Sequence, residues 1–216
     1  VLLCTFSAKA QVLQWSNPVK LKGSAVFTKV IGENKKGVFL MRYRNRFYSK
    51  NIILERYSHL LLLDQAKNID LKNARLMKIY MTSDGILLVK SKYNRITQQN
   101  DLTSQWYDFD LKAVGKPTLL ASTVPKEFGD RGNFRLRISD DLKLISLLYT
   151  ERSETKNIIL HHKLLAINQE TLATKSVELP YEYDKFIIQD FLVTNDSSIN
   201  FFCKTMRDGY TQIFAI

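Results

Sequence analysis

The sequence predicts an all-β chain made of repeated sheets, and three observations predict it. Four stretches share one plan of strand, polar turn, apolar strand and polar tail: Val26–Met41, Lys78–Val89, Phe134–Leu148 and Phe191–Phe202. Their turn residues Asn34, Asp84, Asp140 and Asn195 stand 50, 56 and 55 positions apart, and a fixed period of several tens of residues marks a repeat architecture. Within each repeat the second apolar run (Val38–Met41, Ile86–Val89, Leu144–Leu148 and Ile199–Phe202) is nearly continuous. A strand with one wet face alternates with period two, so a continuous run implies that both faces are covered. Sheets piled face to face cover their middle strands in this way, whereas a two-layer sandwich leaves each sheet an outer face. The expected fold is therefore a β-propeller of about four blades with four antiparallel strands each.

The elements follow in order. Blades are expected over about 24–72, 73–122, 131–180 and 184–216, the last incomplete. After the turn and the apolar strand, a third strand is read at Ser58–Asp64, Gln105–Asp110 and Lys163–Asn168. Each ends in Asp or Asn, which favour turns by bonding their own backbone. Outer strands are read at Ile69–Leu71, Pro117–Leu120 and Ser176–Leu179, giving the four strands of a propeller blade. About four blades make this part of a larger ring, with the alternative that Val19–Lys22 supplies the last outer strand and closes a small one.

Thr82-Ser-Asp-Gly85 and Ile138-Ser-Asp-Asp-Leu-Lys-Leu144, each flanked by strands, resemble the WD40-like propeller repeats of the TolB type. Blades of that type carry a Ser-x-Asp-Gly-like turn between their first two strands. The sequence departs from the pattern in lacking a Pro before the turn Asp and any Trp-Asp dipeptide. The resemblance implies the fold and a setting in the bacterial cell envelope; it carries over no catalytic residue.

Val1–Ala10 reads as the end of a signal peptide, with Ala8-Lys9-Ala10 as the cleavage pattern and Gln11 as the first mature residue. The expectation is a fragment of an exported protein, periplasmic or at the cell surface; a first β-strand, in a cytoplasmic interaction propeller, is the alternative. No apolar run reaches the ~20 residues of a membrane-spanning helix. Removing Cys4 would leave Cys203 alone in the apolar run Ile199–Cys203, as a buried and inert thiol.

A net charge of +11 favours anionic partners. The densest basic cluster, 42–50, alternates cations with aromatics, and Arg42, Tyr43, Arg44, Arg46 and Tyr48 are the candidate ligand-binding residues. Cations there can grip an acidic group while rings stack on sugars; a strand leaving its sheet with solvated charges accounts for the same alternation. The expected partner is a protein or an anionic polysaccharide, and export argues against nucleic acid. No metal site or cofactor is expected: His161 and His162 are strand neighbours facing opposite ways, so they cannot chelate one ion. The primary expectation is a non-enzymatic binding or scaffolding module. The second is a carbohydrate-active enzyme with acids in a central channel, for which Asp108 and Asp110 beside Trp106 and Tyr107 are the sugar-site candidates.

Overall fold

The structure is a computed structural model describing residues 27–43, 51–125, 133–207 and 210–215. It divides into two compact units, Val1–Asp70 and Leu71–Ile216. Val1–Ala10, Val19–Lys22, Arg44, Arg46 and Tyr48 lie outside the described residues.

The first unit holds one antiparallel sheet, β1 (Phe27–Asn34), β2 (Gly37–Tyr43), β3 (Asn51–Tyr57) and β4 (Leu63–Asp70), in sequential order. Asn34 closes the first hairpin by accepting from the Lys36 N–H at 2.8 Å. Gly37 follows at φ +135°, where a Cβ would overlap the Tyr57 carbonyl oxygen across the β2–β3 pair. Only glycine meets both demands. Phe39 and Met41 of β2 are buried, while Val38 and Leu40 are half-buried. The continuous coverage expected of this run is therefore replaced by alternation. The third strand also differs from expectation: Asn51–Tyr57 forms it, with Ile52 and Leu54 buried, and Ser58–Leu62 is a turn. Leu60 and Leu62 remain 70% and 50% exposed, because Leu61 takes φ +59° and the chain reverses there.

The second unit holds three more sheets. The second is β5 (Arg75–Met81), β6 (Ile86–Asn94), β7 (Gln99–Tyr107) and β8 (Ala113–Thr123). The third is β9 (Arg135–Ile138), β10 (Leu144–Arg152), β11 (Asn157–Ala166) and β12 (Thr171–Glu182). After a 3-10 turn at Tyr183–Lys185 the fourth has β13 (Phe186–Val193), β14 (Ile199–Arg207) and β15 (Tyr210–Ala215). All strand pairs are antiparallel, and the outer strands β8 and β12 are largely exposed.

The sheets of this unit pile face to face. Leu87, Val89, Leu102 and Leu120 of the second sheet bury against Phe134, Leu136, Ile145, Leu147 and Leu165 on the third sheet's side. The opposite face of the third sheet, through Leu148, Ile158 and Leu160, meets Phe186, Ile188, Phe191 and Cys203 of the fourth. Consecutive residues of β10 thus serve two different cores, Leu147 one and Leu148 the other. In β6, Ile86–Val89 is fully buried throughout. The run in β14 departs from this: Cys203 is buried but Phe202 is 48% exposed.

The turns between first and second strands repeat in chemistry as well as position. Thr82 Oγ1, Ser139 Oγ and Thr194 Oγ1 each bond within their own turn, to Gly85 O, Asp141 Oδ1 and both Asp196 Oδ1 and Ser198 O. The acid two positions after the hydroxyl residue is Asp84, Asp141 or Asp196. Asp140 and Asn195, read from sequence as turn residues, lie in these turns one position before the bonding carboxylate. The hydroxyl bond holds Asp141 and Asp196 below the ordinary carboxylate range.

Candidate functional site

Of the basic cluster, Arg42 and Tyr43 are described. Arg42 stands on β2 diagonal to Glu55 of β3, which is fully buried and accepts from the Arg42 guanidinium and from Tyr57 Oη at 3.3 Å. Burial, then the Glu55 charge, pushes the Tyr57 hydroxyl up. A buried carboxylate must be paired, so the Arg42 charge is compensated inside the sheet and is not free for a ligand. Tyr43, at the end of β2, is half-buried.

A second set of cations, which the sequence reads only as scattered solvated charge, lies on β9. Successive strand residues face opposite ways, so Leu136 packs towards the second sheet while Arg135 and Arg137 face the fourth. Arg137 Nε donates to Phe191 O at 3.2 Å and its Nη2 to Asp190 Oδ1 at 2.5 Å, an ion pair exposed enough to be screened. That bond holds the Asp190 carboxyl below its ordinary range. Arg135 Nη1 donates to Gln189 O at 3.1 Å. Gln189 sits at the bulge of β13, between Ile188 and Asp190, where the ladder is interrupted and a carbonyl can turn towards a neighbouring sheet. Among the described residues Arg135 has no carboxylate within ion-pair distance. Burial lowers its pKa, while the Asp190 charge opposes that shift.

Beside Arg135 lies a cavity of about 160 Å³ between the third and fourth sheets. Asn133, Arg135 and Thr150 give it a polar side; Ile158, Phe186 and Ile188 give it an apolar wall. No pattern in the sequence marks it, because its residues come from four strands and one loop. The available signal was the period-two pair Arg135 and Arg137 in an otherwise apolar strand.

The remaining candidates hold structure together. Asp108 Oδ1 accepts from the N–H groups of Asp110 and Lys112 at 2.9 and 2.8 Å, so this acid closes the β7–β8 turn. His161 stacks on Tyr149 with centroids 4.7 Å apart, and its Nδ1 lies 2.8 Å from Ser176 Oγ. Its Nε2 is 3.2 Å from Glu151 Oε2 but out of line for a hydrogen bond. His162 faces the other way and lies 3.1 Å from Ser146 Oγ. Cys203 is fully buried and burial pushes its thiol up to about 11. No group of three metal-ligating side chains occurs among the described residues, and no helix among them is long and apolar enough to cross a membrane.

These features define a class: an all-β chain whose sheets are the antiparallel blades of a β-propeller. No family model and no curated protein matches the chain. Among solved structures it is similar to the endo-arabinase from Bacteroides thetaiotaomicron VPI-5482, at 11% identity over 88% of each chain with a TM-score of 0.37. At that level of likeness nothing about activity is carried over.

Proposed function

We propose that the chain is a non-enzymatic binding or scaffolding module of an exported protein, with an acidic protein or an anionic glycan as its partner. The observation that supports this is how the charges are used. Many acids of the described residues are taken up internally: Glu55 by Arg42, Asp64 by Arg56, Asp190 by Arg137, Glu178 by Ser153, Thr155 and Asn157, and the turn acids by their own turns, while Glu33, Glu154 and Glu170 stay exposed. Lys35, Lys112, Lys116 and Lys175 stand exposed with no carboxylate in ion-pair reach among those residues. The surface therefore carries the positive excess outward, which favours polyanionic partners.

Export to the periplasm or cell surface belongs to the same proposal and rests on Ala8-Lys9-Ala10; the TolB-type likeness of the Thr82–Gly85 turn agrees with it. A secreted product beginning at Gln11 supports export. A retained Val1 in the mature protein refutes it. The carbohydrate-active reading needs carboxylates free to move protons, whereas Asp108, one of its two candidate acids, holds a turn.

Retention on immobilised heparin tests the binding reading. Replacing Arg44 and Arg46 with Gln should lower the eluting salt concentration more than replacing Lys112 and Lys116 with Gln. Equal losses would leave only nonspecific charge, and release of reducing sugar from a polysaccharide would overturn the non-enzymatic assignment.

A further inference from the structure

The geometry points to the cavity between the third and fourth sheets as a subsite for a carboxylate on a short aliphatic stem. This rests on the binding-module reading for the sign of the ligand's charge and adds the ligand's chemistry and place. Arg135 is a half-buried cation whose one hydrogen bond, Nη1 to Gln189 O, leaves further guanidinium N–H groups for an acceptor. Asp190, the acid on the facing strand, is held by Arg137. A half-buried cation beside an open cavity, with no carboxylate in ion-pair distance among the described residues, favours an anionic occupant.

The walls narrow the choice. A volume of about 160 Å³ holds roughly five waters at ~30 Å³ each, well below the ~300 Å³ of a typical small-molecule pocket. A volume of this size suits a carboxylate with a stem of three or four carbons better than a sugar polymer. Arg135, Asn133 and Thr150 are the polar residues lining it, available to the carboxylate, while Ile158, Phe186 and Ile188 receive the stem. The group could belong to a free short-chain acid or to an acidic side chain of a partner protein, and both present the same chemistry.

Butyrate titration of the whole chain, followed by amide chemical shifts, tests the assignment, with butyramide as the uncharged control. Saturable shifts clustered at Arg135, Thr150 and Ile188, absent with butyramide, are expected. Arg135→Gln should weaken binding about tenfold, the loss of roughly one charge-assisted hydrogen bond. Should that variant fail to fold, Thr150→Val decides: a several-fold loss supports the site and unchanged affinity overturns it. Shifts scattered over surface lysines, or equal binding of butyramide, would also overturn it. A peptide with an internal Glu that binds more tightly than butyrate identifies a partner side chain as the source; tighter butyrate binding identifies the free acid. Heparin retention is read separately, so an empty cavity with intact retention refutes this subsite alone, while lost retention with a filled cavity refutes the polyanion reading alone.

Discussion

The seam between the second and third sheets and the seam between the third and fourth are built on opposite faces of the same strands, yet their chemistry differs. The former is a continuous apolar core running through Leu87, Leu102, Ile145 and Leu147. In the latter a smaller core around Leu148, Ile188 and Cys203 is joined by Arg135 and Arg137, which reach across to backbone carbonyls of β13 and leave a cavity. One sheet thus carries a mainly apolar face and a face that adds two cations and a cavity. The difference shows that the repeat fixes the stacking while leaving residues at the first-strand edge free to vary in chemistry.

Four substitutions or conditions would break or sharpen that contrast. Leu147→Ala should have the largest effect, about 2–5 kcal/mol by denaturant unfolding, because Leu147 is fully buried among Leu87, Val89, Leu102, Ile145 and Leu165 and its truncation leaves a cavity. A cost below about 1 kcal/mol would mean that the seam is loosely packed. Cys203→Ser places a hydroxyl in the apolar part of the other seam and should cost roughly 1–3 kcal/mol. The native thiol, pushed up to about 11, should resist alkylation at neutral pH until the protein unfolds.

Acidification should weaken the third sheet through His162. Burial, and then the Lys175 charge, lowers its pKa from the ordinary 6.5. The neutral form is the one that fits, so its contribution is intact above about 6.5 and is lost as pH falls from there towards the folded-state value. His162→Gln should flatten the stability profile in that window, and an unchanged profile would remove His162 from the account. The smallest effect is expected for Arg137→Gln, about 1 kcal/mol or less, since its ion pair with Asp190 is exposed on both sides.

The sequence made the stacking legible where physics leaves little choice. A run such as Ile86–Val89 can be buried at every position only if both faces are covered, and it is. It misled at Ser58–Asp64, where four consecutive leucines resemble a strand; Ile52 and Leu54 fill the buried strand, and the leucines fall on the turn and the exposed edge. The turn acids were read one residue early in the third and fourth repeats, because the bonding position is set by a Ser or Thr hydroxyl and not by the Asp alone. The Arg135 cavity was not legible at all. Its lining is assembled by register between β9, β10, β11 and β13, which no local pattern encodes. Arg42 was visible as a cation, but its fully buried partner Glu55 lies on the next strand, 13 positions away.

The central claim is that the third sheet is covered on both faces. Single cysteines at Leu147 and at Leu148, in a chain with Cys4 and Cys203 replaced, test it through native-state thiol labelling against a control cysteine at exposed Leu172. The account predicts that both adjacent positions are protected to a similar degree while the control labels rapidly. Rapid labelling at one of the two, with the fold intact, would mean a sheet with one wet face and would contradict it.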